Sequence, residues 1–505
     1  MDDRYDVVII GAGIGGLAAA GVLSKEGRKV LVLDREDRPG GRALSIEGSE
    51  VSERGSDWYR DVLGRHYCYL ADSRPDIESV VSERLLDGYT LDLGYHGVGC
   101  AGLGYFGRLT EYLGIEVEVN PCDTGLYYAG EFYREPTLGK GKLDDRIYEA
   151  CKRTGIKYWS FITSAFGKTP QELAELEQVS LYDYCKDLGV DDLIWQSYRC
   201  LGTLFTTINN PHDISAGEII RFATNIMMPI IASGKPLHVG GFAVGGIGNW
   251  SAAVAAEVER LGGDIELGVE VKRVVTAGGE VEGVEMVMPT GETARVAANA
   301  VVSTVPIQET FELVPAEDFP AEFVSRVRSL YGYGSLAPYF GLNELPIPEE
   351  QAELLVKTPV VVEAGNDYDY DVYMCWNVQS AIDPSCAPPG KHLVTAYLPL
   401  TEEESHDRRK VAKVVEAVPE FLERAYPGFS ECVDWALYPM CWKLEGVAKS
   451  ISQAGTLKPE VEAPGLAGLY FAGDTARGFG VAMDCACSSG INCAAAILGR
   501  TLGIE

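Results

Sequence analysis

The stretch that constrains this chain most is "YDVVIIGAGIGGLAAAGVLSKEGRKVLVLD", residues 5–34. Val7-Val8-Ile9-Ile10 is an unbroken apolar run, as a parallel strand buried on both faces requires. Gly11, Gly13 and Gly16 follow at once as G-x-G-x-x-G, with Gly15 inside the same turn. The first glycine permits a tight turn, the second lets the backbone approach a pyrophosphate, and the third lets the next helix lie close on the strand. The start of that helix offers N–H groups and partial positive charge to phosphates. The helix is predicted to run to about Lys25, and "RKVLVLD" is a second strand. It ends in Asp34, placed to accept hydrogen bonds from a ribose hydroxyl. A chain that opens this way reads as an α/β protein with a Rossmann-type nucleotide-binding domain. The stretch leaves open whether the nucleotide is a nicotinamide that exchanges or a flavin that stays.

Length and charge narrow the rest. The chain has 505 residues, which predicts two or three domains. Its formal net charge is −31, with no basic run. That argues against nucleic acid and anionic membrane surfaces as partners, since both attract clustered Lys and Arg. The opening MDDRYD enters a strand directly, and no apolar stretch has membrane-spanning length. The thirteen cysteines include no CxxC pair, which reads as reduced thiols in a cytoplasmic protein. Cys485 and Cys487 lack partners at zinc-ligand spacing, so no metal site is expected.

Three further segments carry a resemblance. "DRPGGRALS" (37–45) resembles the R-x-G-G-R-x-x-S/T stretch of the amine oxidase and phytoene desaturase superfamily of flavoproteins. "GLYFAGDTARGFGVAMDCACSSGINCAAAIL" (468–498) resembles that superfamily's last strand, Gly-Asp loop and helix. "VGGFAVGGIGNWSAAVAAEVERLGGDIELGVEVKRVV" (239–275) is similar to its middle segment, and "ANAVVSTVP" (298–306) to the strand that returns beneath the pyrophosphate. The resemblance implies FAD, held permanently. It places Asp34, Arg35, Gly41 and Arg42 along the cofactor, and the backbone of Val271 at the adenine. It also places Gly473 and Asp474 at the ribityl chain, and a helix starting near Met483 at the pyrimidine edge. The implied fold is a glutathione reductase-like FAD domain built from 1–104, 235–310 and 465–505. A second α+β substrate domain would take 105–234, read as mostly helical, and 311–464.

Within the superfamily, "AIDPSCAPPGKHLVTAYLPL" (381–400) resembles the D-P-x-x-A-P-P-G-x-H segment of carotenoid desaturases, carotenoid isomerases and retinol saturases. "GYTLDLGYHGV" (88–98) looks like the segment that crosses the flavin. This branch implies desaturation, saturation or isomerisation at a carbon–carbon bond of a small, largely apolar substrate, such as an isoprenoid or polyene, with an electron partner left unnamed. Tyr95 and His96 are the candidate proton-handling residues, since a histidine titrates near neutrality and a tyrosine can deliver a proton to carbon. The loop Thr475–Gly480 departs from the branch's T-H-P-G-G-G and brings in Arg477, a candidate contact for an anion or the flavin. Asp484 is expected to cap the C-terminal helix. A flavin amine oxidase using oxygen is the alternative, with Trp442 and Lys443 in "CWKLEG" as its candidate cage and lysine. "EIIRFATNIMMPIIASG" (218–234) reads as a core helix kinked at Pro229, or else as a peripheral membrane contact.

Overall fold

The computed structural model describes residues 2–135, 144–155, 157, 158, 160, 164, 167–360 and 372–504. Strand β1 (Arg4–Ile10) is followed by helix α1 (Ile14–Lys25) and strand β2 (Val30–Asp34). Every residue of α1 from Ile14 to Ser24 is buried, so this helix is covered on all sides instead of showing one wet face. β1 pairs in parallel with β2 and with the strand Thr293–Ser303. Each fully buried Val or Ile of such strands contributes roughly 1.5–3 kcal/mol of apolar burial.

The first sheet has seven strands drawn from the two ends and the middle of the chain. Thr293–Ser303 divides one of its edges. Its first half pairs with Glu280–Val287, and its last residues pair in parallel with the C-terminal strand Leu469–Phe471. α1 packs on the C-terminal helix Met483–Leu498 through Gly490, where a Cβ would stand 2.5 Å from Gly15 O. Strand pairing and helix packing thus bring together stretches from the start, the middle and the end of the chain.

Among the described residues the second sheet has ten strands, and it differs from the expected boundaries. Cys68–Arg74 pairs with Val433–Glu445, and Gly240–Ala243 pairs with Val119–Tyr128. Both segments were expected in the cofactor domain, but local sequence does not say which sheet edge a short strand will join. The stretch 105–234 is mostly helical, yet it contains the hairpin Val119–Tyr128/Glu131–Arg134. Its turn residues Ala129 and Gly130 both have positive φ, as the favoured two-residue hairpin turns require. The kink near Pro229 is a π-helical turn at Ala223–Met227, between the helices Ala216–Phe222 and Met228–Ala232. Among the described residues no helix is long and apolar enough to cross a membrane. All thirteen cysteines are free thiols, and all but Cys432 are buried.

Candidate functional site

One cavity runs between the two sheets, and residues from every segment of the chain line it. Gly11, Gly13, Gly15 and Gly41 form its floor. The turn tolerates no side chain at its tightest point: a Cβ on Gly15 would lie 2.6 Å from the Gly473 backbone. Gly473 itself has φ +113°, and its missing Cβ would project into open space. The start of α1 has no side-chain cap, so its first N–H groups remain available for an anion. Gly16 does not face the cavity. Its absent Cβ lets α1 lie against Gly11 O, the packing role assigned to it above.

Asp34, Arg35 and Val271 line the same cavity. The Asp34 carboxylate accepts N–H bonds from Ala12 (2.6 Å) and Glu36 (2.8 Å). Each oxygen keeps a second lone pair for a ribose hydroxyl. Burial pushes this carboxyl above its ordinary range, against the pull of those two N–H groups. Arg42 and Asp474 meet as an ion pair that ties the first segment to the last. Arg42 also donates to the carbonyls of Lys443 (2.8 Å) and Leu444 (3.2 Å), and Asp474 accepts from Gly446 N–H (2.7 Å). Burial raises the Asp474 carboxyl, but the Arg42 guanidinium outweighs it and holds the group below the usual carboxylate range. The glycine floor, the uncapped helix start and this fixed pair fit an FAD. Its pyrophosphate would sit on α1 and its ribityl chain beside Asp474.

The C-terminal helix aims its start at the cavity, where Ala482 and Met483 are lining residues. Ala482 has φ +48°, a conformation that costs a non-glycine residue of order 1–3 kcal/mol. Asp484 does not cap this helix. Its Oδ1 accepts the Phe106 N–H (2.8 Å) at the start of the helix Tyr105–Leu113. Burial pushes the Asp484 carboxyl up to about 7, against that N–H bond and the charge of Arg108.

Tyr95 and His96 both face the cavity. The Tyr95 hydroxyl donates to Asn377 Oδ1 (2.9 Å), and its ring stacks on Tyr397 at 5.5 Å. Burial pushes this hydroxyl well above its ordinary range, so it stays protonated. His96 Nε2 lies 2.7 Å from Leu93 O and 3.0 Å from Arg42 O. Both partners only accept, so Nε2 carries the proton and Nδ1 is left as the basic nitrogen.

Arg477 is not brought to the site. Its guanidinium pairs with Glu460 and donates to Thr456 O, outside the cavity lining. Lys443 is likewise taken up by Glu309 (3.1 Å), and Trp442 packs among Tyr67, Tyr69 and His406. Neither lines the cavity. Sequence reasoning missed Glu36, Phe242, Tyr397 and Glu445, which do. Glu36, two residues past the acid that ends β2, carried a local signal. The others come from distant strands and carried none. Among the described residues no group of three His, Cys, Asp or Glu is placed to hold a metal ion.

Comparison with known proteins agrees with this geometry. The family pattern described as flavin containing amine oxidoreductase matches residues 14–498. The chain is 24% identical over 500 residues to a 4,4'-diapolycopen-4-al dehydrogenase from Metabacillus indicus, covering 92% of each chain. It is 21% identical over 486 residues to the chloroplastic prolycopene isomerase of Daucus carota, covering 85% of this chain and 68% of that one. A guanosine nucleotide diphosphate dissociation inhibitor from Arabidopsis thaliana is 38% identical over 197 residues, so the match spans only 40% of that relative and 38% of this chain. In fold, the chain is similar to an oxidoreductase from Methanosarcina mazei (TM-score 0.69, 17% identity, 98% and 100% of the two chains). It is also similar in fold to cyclohexylamine oxidase from Brevibacterium oxydans (TM-score 0.58, 16% identity, 98% and 100%). With the glycine floor, the Arg42–Asp474 clasp and a family match over nearly its whole length, the chain belongs to the flavin-containing amine oxidoreductases and is an FAD-dependent oxidoreductase.

Proposed function

We propose that this enzyme acts on a carbon–carbon bond of a largely apolar, uncharged substrate, by desaturation, saturation or isomerisation. One observation carries the reading. Beyond the cofactor floor the cavity wall is Cys122, Leu204, Phe205, Phe242, Leu355 and Tyr397, with Tyr95 among them. The tyrosine hydroxyls are turned to protein acceptors, Tyr95 to Asn377 and Tyr397 to Thr203 O (3.1 Å). Such a wall offers ring faces but no carboxylate to an ammonium group, and stripping an unpaired charge of its water is costly. The carboxylates lining the cavity elsewhere, such as Glu36, Glu270 and Glu309, sit on segments of the cofactor floor. Glu445 is held by Lys449 at 2.8 Å. The names of the two relatives support a polyene substrate, one an isomerase of prolycopene and the other a dehydrogenase of a polyene aldehyde, whereas the likeness to cyclohexylamine oxidase is one of fold.

The bound flavin supplies the redox step. The chain supplies an apolar chamber, with the Tyr95 ring in its wall, and a basic nitrogen at His96 Nδ1. The test is anaerobic: the oxidised, FAD-loaded protein is mixed in turn with polyenes, saturated isoprenoids and primary amines, and the flavin absorbance is followed. A saturated isoprenoid that bleaches the flavin supports desaturation. A polyene that reoxidises the photoreduced protein supports saturation, and a change of polyene geometry without net bleaching supports isomerisation. Bleaching by amines alone, with rapid return in air, overturns the reading in favour of an amine oxidase.

A further inference from the structure

Behind the cavity lies a cluster of buried ions that the cofactor floor does not require. Glu445, the last residue of the strand Val433–Glu445, lines the cavity and is 5% exposed. Lys449 is 0% exposed and holds its Nζ 2.8 Å from Glu445 Oε2. Glu218, on the buried helix Ala216–Phe222, keeps one carboxyl oxygen, Oε2, without a hydrogen-bond partner. Lys458 donates to Asp474 O (2.8 Å) and stands 3.5 Å from Cys485 Sγ. A buried Lys–Glu pair is weak evidence of stabilisation, because the cost of drying both ions rivals their attraction. Its position offers another reason for it. Gly446, the residue after Glu445, donates its N–H to Asp474 (2.7 Å), so the pair adjoins the part of the cavity where the flavin's ribityl chain is expected.

Reduction of a bound flavin adds negative charge inside a cavity that already holds a carboxylate at its wall. At low dielectric such repulsion is far stronger than in water. We propose that Glu445 takes up a proton when the bound FAD is reduced, so that the charge of Lys449, no longer paired with Glu445, offsets the new charge. The reductant delivers two electrons to the flavin, and one proton accompanies them, carried by a hydride donor or, with dithionite, taken from solvent. A second proton, from solvent, forms an O–H bond on the Glu445 carboxylate and ends its ion pair with Lys449. The groups whose charges bear on this carboxylate come from several elements. They are Lys449 on its own loop, Arg42 after β2, Tyr397 on the strand His392–Thr401 and Cys485 on the C-terminal helix. Glu218 and Lys458 stand behind Lys449 and Cys485. The inference needs bound FAD but is independent of which substrate the chamber takes.

The test is a reduced-minus-oxidised infrared difference spectrum of the FAD-loaded protein, with dithionite as reductant. A protonated-carboxyl band should appear on reduction, shift in D2O, and be absent from E445Q. Should E445Q fail to fold or retain FAD, E445Q/K449M removes both buried charges together and must also lack the band. No carboxyl band in the wild type overturns the proposal. So does a band that persists in either variant, which would place the proton on another acid such as Glu218.

Discussion

Asp474 and Arg42 show how one pair of side chains joins distant parts of this chain. The pair is partly buried, with side chains 28% and 13% exposed, so removing one partner costs less than the loss of half of a fully buried pair, about 1–3 kcal/mol. R42M is therefore expected to lower stability by about that amount and to release FAD, read from denaturant unfolding and the flavin-to-protein absorbance ratio. Because the folded-state pKa of Asp474 is depressed, its contribution is complete at neutral pH. It fades as pH falls through the folded pKa, so R42M should flatten the acid limb of the stability profile. Asp484 has the opposite sign. Its folded pKa of about 7 lies above that of an unfolded carboxyl, so the folded state binds the extra proton. Stability falls as pH rises from the ordinary carboxylate range to about 7. D484N keeps the acceptor for Phe106 N–H, and should remove that slope and add of order a few kcal/mol at neutral pH; a variant with an unchanged pH profile would refute this. At this scale the sequence was readable where backbone geometry dictates the residue, as at Gly11 and Gly15. It was unreadable where a side chain's direction decides. Arg477 turned to Glu460, seventeen positions before it, and nothing in "TARGFG" indicated that.

At the scale of elements, the contact between α1 and the C-terminal helix depends on Gly490. Two effects compete in G490A. Alanine favours a helix over glycine by about 1 kcal/mol, while overpacking a tight contact costs about 1–3 kcal/mol. The new Cβ would meet Gly15 O at 2.5 Å and Ala18 Cβ at 2.6 Å, and neither neighbour is a flexible side-chain end. Overpacking should win, lowering the melting temperature and, through Gly15, FAD retention. A melting temperature at or above wild type would show that the helices can part freely. The helices and strands flanking this contact were readable from apolar runs and glycine turns. The π-helical turn at Ala223–Met227 was not. Pro229 announced a kink, but a proline disturbs the backbone preceding it, so the irregular turn falls upstream of the residue that signals it. The hairpin at Ala129–Gly130 was overlooked because Pro121 and Gly125 interrupt any period-two pattern in its first strand.

On the scale of the whole molecule, the cofactor site is where the chain's order and its packing disagree most. Gly11 and Asp34 come from the first tenth of the chain, Val271 from the middle and Asp474 from the last tenth, yet all line one cavity. The G-x-G-x-x-G turn near the start and the Gly-Asp loop near the end made this closure readable. The membership of Cys68–Arg74 and Gly240–Ala243 in the second sheet was not readable, because it depends on which edges remain unpaired once the larger strands have met. A ligand spanning all three segments binds the closed arrangement and not the open chain, so it must stabilise folding by mass action. Stripping FAD should lower the unfolding free energy, and titrating it back at concentrations above its Kd should restore about 1.4 kcal/mol per tenfold increase in free FAD. The gain should register equally at reporters in both sheets, since Arg42 and Asp474 of the floor bond to Leu444 O and Gly446 N–H at the end of a second-sheet strand. Amide exchange of the strand Val372–Val378 serves the second sheet, and that of β1 serves the first. A gain confined to β1 would mean that the sheets unfold independently and that the cavity between them is a contact of two separate bodies.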